Sequence, residues 1–145
     1  MPVLYKLKKM ERTYADGRQD PANGKWYAKA VTVGYVTTDD IADIIQKNCS
    51  MKKSDVQAVL TELVEVMTDK LQESYAVKLN GLGTFKIGIR SKGAVEREEF
   101  SVATNITGKR VNFRPAYTID LANGNRTQAL LNGCKISEAT KYNVE

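Results

Sequence analysis

Apolar residues recur along this chain at two different periods. Val77 and Leu79 alternate with polar neighbours, and so do Phe85 and Ile87. That spacing of two belongs to a strand with one face buried. Between the pairs stands Asn80-Gly81-Leu82-Gly83. Two glycines one residue apart let the backbone reverse through positive φ and pack closely. Residues 77–87 therefore read as strand, glycine-rich turn, strand, and the second strand runs on through Gly88-Ile89-Arg90. Lys109-Arg110-Val111-Asn112-Phe113-Arg114 alternates again and reads as a returning strand. Pro115 ends it by lacking an N–H. Residues 91–110 are polar, with Gly93 and Thr107-Gly108 as breakers and weak alternation at Phe100 and Val102. Residues 87–114 are expected to form a long, basic, two-stranded arm.

The second period is helical. Val56, Val59, Leu60, Leu63, Met67 and Leu71 lie at i, i+3, i+4, i+7 spacing. They predict an amphipathic helix from Lys52 or Lys53 to Ser74, about 30 Å long at roughly 1.5 Å per residue. A shorter helix precedes it. Thr37-Thr38-Asp39-Asp40 is its start, since a threonine caps free N–H groups and acids suit the first turn. Ile41, Ile44 and Ile45 form its apolar face, and it ends near Asn48. Two helices joined by a tight turn cannot bury such a stripe alone. They need a sheet and a second copy of themselves.

The N-terminal third predicts strands over residues 3–9 and 26–36. The turn signals Asp16-Gly17, Asp20-Pro21 and Asn23-Gly24 lie between them, and the two strands are expected to pair as a hairpin. Trp26 and Tyr27 at the second strand's start read as packing groups rather than base-stacking ones. Residues 125–131 predict a short helix stopped at Asn132-Gly133. The last twelve residues carry no clear pattern.

Composition narrows what such an α+β chain can do. At 145 residues it has room for a real core. No apolar run approaches the roughly 18–20 residues that span a membrane. The start Met1-Pro2-Val3-Leu4-Tyr5-Lys6 holds no apolar signal core, so an intracellular protein is expected. Cys49 and Cys134 lie far apart without a C-x-x-C pair, which argues against a structural metal or a disulfide framework. Histidine is absent, which removes the commonest general base and a common metal ligand. No phosphate-binding or nucleophile-elbow motif is present. Asn80-Gly81-Leu82-Gly83 lacks the third glycine of a dinucleotide fingerprint and precedes a strand instead of a helix. No catalytic constellation, cofactor, metal or small-molecule substrate is expected.

Charge is segregated. Residues 1–36 carry a net +4, residues 37–76 a net −4, residues 77–115 a net +5 and residues 116–145 a net 0. Charge runs are usually solvated surface. Here the predicted helices are acidic and the predicted strands basic, an arrangement whose field attracts a polyanion.

In this order the residues resemble the HU/IHF family of bacterial histone-like DNA-binding proteins. The resemblance runs from Thr38 to about Leu131. It rests on Asp39-Asp40-Ile41-Ala42-Asp43-Ile44-Ile45, then Lys52-Lys53-Ser54-Asp55-Val56, then Val77-Lys78-Leu79-Asn80-Gly81-Leu82-Gly83-Thr84-Phe85. The last is the family's signature of an apolar strand followed by Gly-Leu-Gly-Thr-Phe. The N-terminal strands and Gly34-Tyr35-Val36-Thr37-Thr38-Asp39-Asp40 are similar to a divergent branch with an added N-terminal segment. The implied division is a β extension over residues 1–36 packed on the main domain, an HU-like domain over residues 37–131, and a tail over residues 132–145.

The resemblance implies an intertwined homodimer, with helices under a β-saddle and two arms reaching into the DNA minor groove. It implies a nucleoid-associated, cytoplasmic protein that binds duplex DNA without sequence preference. HU is itself a standard example of minor-groove architectural binding. Lys78, Lys86, Arg90, Lys92, Lys109, Arg110, Arg114 and Arg126 are the implied DNA-binding residues. Arg90 falls at a family arm arginine, and Thr107-Gly108 at the Thr-Gly of the arm tip. Leu121-Ala122-Asn123-Gly124-Asn125 resembles the segment that opens the family's last helix, with Asn125 in place of its lysine and Arg126 adjacent. The family's wedging proline is Asn105 here, with apolar Ile106 beside it as a candidate wedge; the plainer reading of Ile106 is a turn residue packed on its own arm. Glu96, Glu98 and Glu99 place acids in the outgoing arm, where they would repel phosphate. An alternative expectation is therefore an HU-like dimeric protein-interaction module with weak or lost DNA bending.

Overall fold

The computed structural model describes residues 1–139. Its strands and α-helices are β1 (Val3–Lys9), β2 (Trp26–Ala30), α1 (Thr38–Asn48), α2 (Lys53–Gln72), β3 (Val77–Leu79), β4 (Gly83–Ser91), α3 (Val102–Asn105), β5 (Ile106–Pro115), β6 (Tyr117–Ile119), β7 (Arg126–Gln128) and β8 (Ile136–Glu138). Among the described residues there are two compact units: the first is residues 1–36 with 133–139, the second residues 37–132.

The first unit is a three-stranded sheet in the order β2-β1-β8. β1 and β2 are antiparallel, with Tyr5 opposite Ala30 and Lys9 opposite Trp26. Asn23 closes the turn region between them, accepting from the Arg12 N–H at 2.7 Å and donating to the Arg12 carbonyl at 2.8 Å. The second strand was expected to reach Val36, but the ladder stops five residues sooner. Its last bond runs from the Val31 N–H to the Leu4 carbonyl. The next bonded pair would need an N–H from Pro2, which has none. Residues 136–138, where no pattern is visible in the sequence, form a strand parallel to β1, with Val3 opposite Ile136.

The second unit begins with the helix pair. Thr37 caps α1 in a reciprocal box: its Oγ1 accepts from the Asp40 N–H, and the Asp40 carboxylate accepts from the Thr37 N–H at 2.9 Å and hydroxyl at 2.6 Å. Asp40 thus plays the part that Glu or Gln usually takes at this position. Lys53 joins the helices, donating to Asp39 at 2.8 Å and Asp43 at 2.9 Å, while Gln57 donates to Asp39 at 2.6 Å. α2 ends in a Schellman arrangement: the Tyr75 N–H donates to the Lys70 carbonyl and the Ser74 N–H to the Leu71 carbonyl. Ser74 takes the left-handed conformation, φ 69°, that glycine usually supplies there.

The signature hairpin follows. Gly81 turns the chain at φ 79°, and the Leu82 N–H donates back to the Leu79 carbonyl. Gly83 is buried at φ 155°. A Cβ there would lie 2.6 Å from the Phe113 ring and collide with the Arg114 carbonyl, so this crossing of β4 and β5 requires glycine. β4 pairs with β3 on one side and β5 on the other.

Two expectations for this unit are corrected. The two-stranded ladder ends at Ser91 and Ile106, after an irregularity between Arg90 and Ser91. The segment between folds instead into a 3-10 turn at Arg97–Glu99 and the short α3. Residues 125–131 are not a helix. Arg126–Gln128 form β7, antiparallel to β6 with Thr118 opposite Thr127, and only Ala129–Leu131 make a single 3-10 turn. β-branched Thr127 favours the pleated pairing, and Asp120-Leu121-Ala122-Asn123-Gly124-Asn125 is the loop that closes it. In that loop the Gly124 N–H donates to the Asp120 carbonyl.

Candidate nucleic-acid interface

Directly opposite residues of an antiparallel pair project from the same face, so the register sorts the side chains of the β3-β4-β5 sheet. One face carries Val77, Leu79, Phe85, Ile87 and Ile89 with Phe113, Val111 and Lys109 opposite the last three of these. Phe85 and Phe113 stack at 4.7 Å between ring centres. This apolar face is the one near α2: Leu71 and Tyr75 line a concavity of about 810 Å³ together with Ile87, Ile89 and Lys109, and with Lys86 from the neighbouring strand position.

The other face carries Lys78, Thr84, Lys86, Gly88 and Arg90 with Arg114, Asn112, Arg110 and Gly108. Five of these nine positions are cationic and none is acidic. All five cations are exposed. None forms an ion pair among the described residues, where the four bridges lie elsewhere. Gly88 lies under the Asn112 side chain, and a Cβ would strike the amide, so cross-strand packing keeps this surface low at its middle. The arrangement is a row of exposed positive ends on a two-residue repeat. It can neutralise successive phosphates of a polyanion and offers no reactive group.

The eight basic residues singled out from the sequence separate in space. Lys78, Lys86, Arg90, Arg110 and Arg114 are brought together. Lys109 is not, because it stands opposite Ile89 on the apolar face. Lys92 lies beyond the end of β4, in the connecting segment, and Arg126 belongs to the separate β6-β7 pair, opposite Ile119. Thr107-Gly108 is not a tip: Gly108 pairs with Arg90 inside the ladder, and the Thr107 hydroxyl donates to the Arg90 carbonyl at 3.2 Å.

Asn105 is also placed differently from the expectation. It is 8% exposed. Its Oδ1 accepts from the Ser101 N–H at 3.0 Å and the Thr104 hydroxyl at 2.8 Å, and the Lys92 N–H donates to its carbonyl at 2.7 Å. It clasps the segment 92–105 shut and has no free end to insert between bases. Ile106 is half-buried in β5 opposite Ser91. The apolar side chains that do stand exposed at this end are Val95, Phe100 and Val102. Phe100 and Val102 carry the weak alternation seen in the sequence, whereas no periodic signal surrounds Val95.

Comparison with known proteins places this geometry in a family. No curated protein matches the chain significantly. Among solved structures the chain is similar to a candidate bacterial DNA-binding protein from Bacteroides vulgatus ATCC 8482, with a TM-score of 0.55 at 16% identity. The likeness covers 78% of this chain and 43% of that one, so it shows a shared fold over less than half the length of the solved protein. The family model that matches describes an HU domain fused to wHTH, Ig or a glycine-rich motif. Because that match runs through residues 1–126, taking in the N-terminal strands as well as the helix pair and signature hairpin, the chain belongs to the HU-HIG family of HU-like proteins.

Proposed function

We propose that this protein is a non-enzymatic architectural DNA-binding protein of the bacterial nucleoid, sequence-tolerant and active as a homodimer in the cytoplasm. The observation that carries this reading is the acid-free face of β3, β4 and β5, with Lys78, Lys86, Arg90, Arg110 and Arg114 on one surface. Cations on a regular sheet recognise phosphates, and phosphates are the same for every sequence. Lys92, Lys109 and Arg126 lie off this face and act as secondary contacts in the same reading. The face forms the β-saddle, and the ladder with segment 92–105 forms the arm.

The dimer is supported by what the chain leaves uncovered. Only Ala42, Val56 and Leu71 are buried apolar residues among those described. Ile44, Val59, Val64 and Val66 stand exposed on the helices, and Ile87, Ile89 and Val111 on the apolar sheet face.

A mobility-shift titration of a short duplex at rising salt tests the reading. Each phosphate neutralised adds about 0.9 to the slope of log affinity against log salt, so a steep loss of binding is expected. A weak or flat dependence, or no binding at low salt, would sink it.

A second reading has a specific observation behind it. Segment 92–105 is closed by buried Asn105, carries Glu96, Glu98 and Glu99, and has no proline wedge. An HU-like module that binds a protein through this end, with little DNA bending, fits those residues. Circularisation of a short DNA fragment separates the two: an architectural protein raises the yield of circles, and the interaction module leaves it unchanged.

A further inference from the structure

The N-terminal sheet also gathers lysines on one face. Val3, Tyr5, Leu7 and Lys9 share the opposite face with Trp26, Ala28, Ala30, Ile136 and Glu138. The lysine face carries Leu4, Lys6 and Lys8 with Val31, Lys29 and Tyr27 opposite, and Ser137 beside Leu4. Lys6 stands directly opposite Lys29, and Lys8 lies on the diagonal. Like charges so placed on a sheet destabilise it. No acid stands on the paired part of this face to relieve them, and none of the three lysines forms an ion pair among the described residues. Lys8, Tyr27 and Lys29 line a groove of about 410 Å³ together with Lys9, Met10 and Glu11. Tyr27 is 43% exposed, and its hydroxyl has no protein partner among the described residues. A cluster that costs stability in the free protein, beside an unused hydroxyl donor, is what an anion relieves.

We infer that Lys6, Lys8, Lys29 and Tyr27 form a second nucleic-acid contact, on the N-terminal sheet, that takes the phosphate backbone of duplex DNA. The lysines supply charge, and the Tyr27 hydroxyl donates to a phosphate oxygen, a contact tyrosine commonly makes. The ligand rests on the proposed function, whereas the site rests on its own residues. It adds a charge-neutralising surface outside the HU-like unit.

Lysine footprinting of the full chain, by reductive methylation with and without saturating duplex, tests both readings at once. Lys6, Lys8 and Lys29 should be protected several-fold, along with Lys78 and Lys86, while Lys47 on α1 is modified at its free rate. Protection of Lys78 and Lys86 with none at Lys6, Lys8 and Lys29 would overturn this inference alone. Protection of the N-terminal lysines with none at Lys78 and Lys86 would overturn the saddle reading and support this one. No protection anywhere would overturn both. The variant Lys6→Gln/Lys8→Gln/Lys29→Gln should fold and melt no lower than the parent, since it removes like-charge repulsion, and should bind duplex more weakly.

Discussion

Single positions carry several of the decisive choices. Ser74 holds a left-handed conformation at the end of α2 where glycine would be unstrained. Ser74→Gly should raise stability by about 1 kcal/mol, measured by urea unfolding; a lower midpoint would mean that the serine side chain contributes more than its strain costs. Asp40 is a second such position. The Thr37 hydroxyl, then the Thr37 N–H, hold its carboxyl below the ordinary 3.8. A carboxylate depressed in the folded state gives its full stabilisation above the unfolded value and loses it as pH falls through the folded one. The α1 cap should therefore stay closed through neutral pH and weaken only in acid. In Thr37→Val the Asp40 carboxyl should titrate closer to its ordinary value, as NMR would read. Lys53 behaves oppositely: hydrogen bonds to Asp39 and then Asp43 raise it above 10.5, so the lysine's contribution to the tie is fully present below its unfolded value and is lost as pH rises through the raised folded one. The threonine-and-acid start of α1 was legible in the sequence because capping is local. The role of Asn105 was not, since its partners at Lys92 and Ser101 meet it only after the segment folds back.

Sheets and helices add what residues alone do not specify. Alternation at period two was visible in Phe85 to Arg90 and in Lys109 to Arg114, so two strands with mixed faces were expected. Which cations share a face depends on register, and a shift of one residue would reverse it. The observed register puts Lys86 with Arg110 and Arg114 and sends Lys109 to the opposite side. Lys86→Gln/Arg110→Gln/Arg114→Gln should weaken DNA binding about equally for all sequences, and lower the salt slope by about 0.9 for each phosphate no longer neutralised. Lys109→Gln should have a clearly smaller effect. Equal effects of Lys109→Gln and Arg110→Gln in a mobility-shift titration would contradict the face assignment. The strand expected to reach Val36 stops early for a similar reason: Val31 to Val36 has strand-forming residues, but its neighbour across the ladder is Pro2.

The chain as a unit is short of core. α1 and α2 keep an apolar stripe in the open, with Val59 and Val64 both more than half exposed, and a second copy is the proposed cover. Sedimentation should find a dimer at micromolar protein. Val59→Asp/Val64→Asp should shift it to monomer or unfold it, and a parent that sediments as a monomer would refute the dimer. Each unit contributes a sheet with cations gathered on one face, which the segregated charge along the chain already foreshadowed. Local physics was readable in the chain itself: the helix pair from its spacing and caps, the hairpin from Asn80-Gly81-Leu82-Gly83, the family from their order, and the basic character of the strands from composition. Long-range pairing was not. The parallel partnership of Ile136–Glu138 with β1, the closing of segment 92–105 on Asn105, the β6-β7 pair in place of a helix and the sorting of the basic residues between faces all depend on residues distant in sequence coming together. Backbone hydrogen bonding and shared burial select those pairings, and periodicity within a short window carries no record of them.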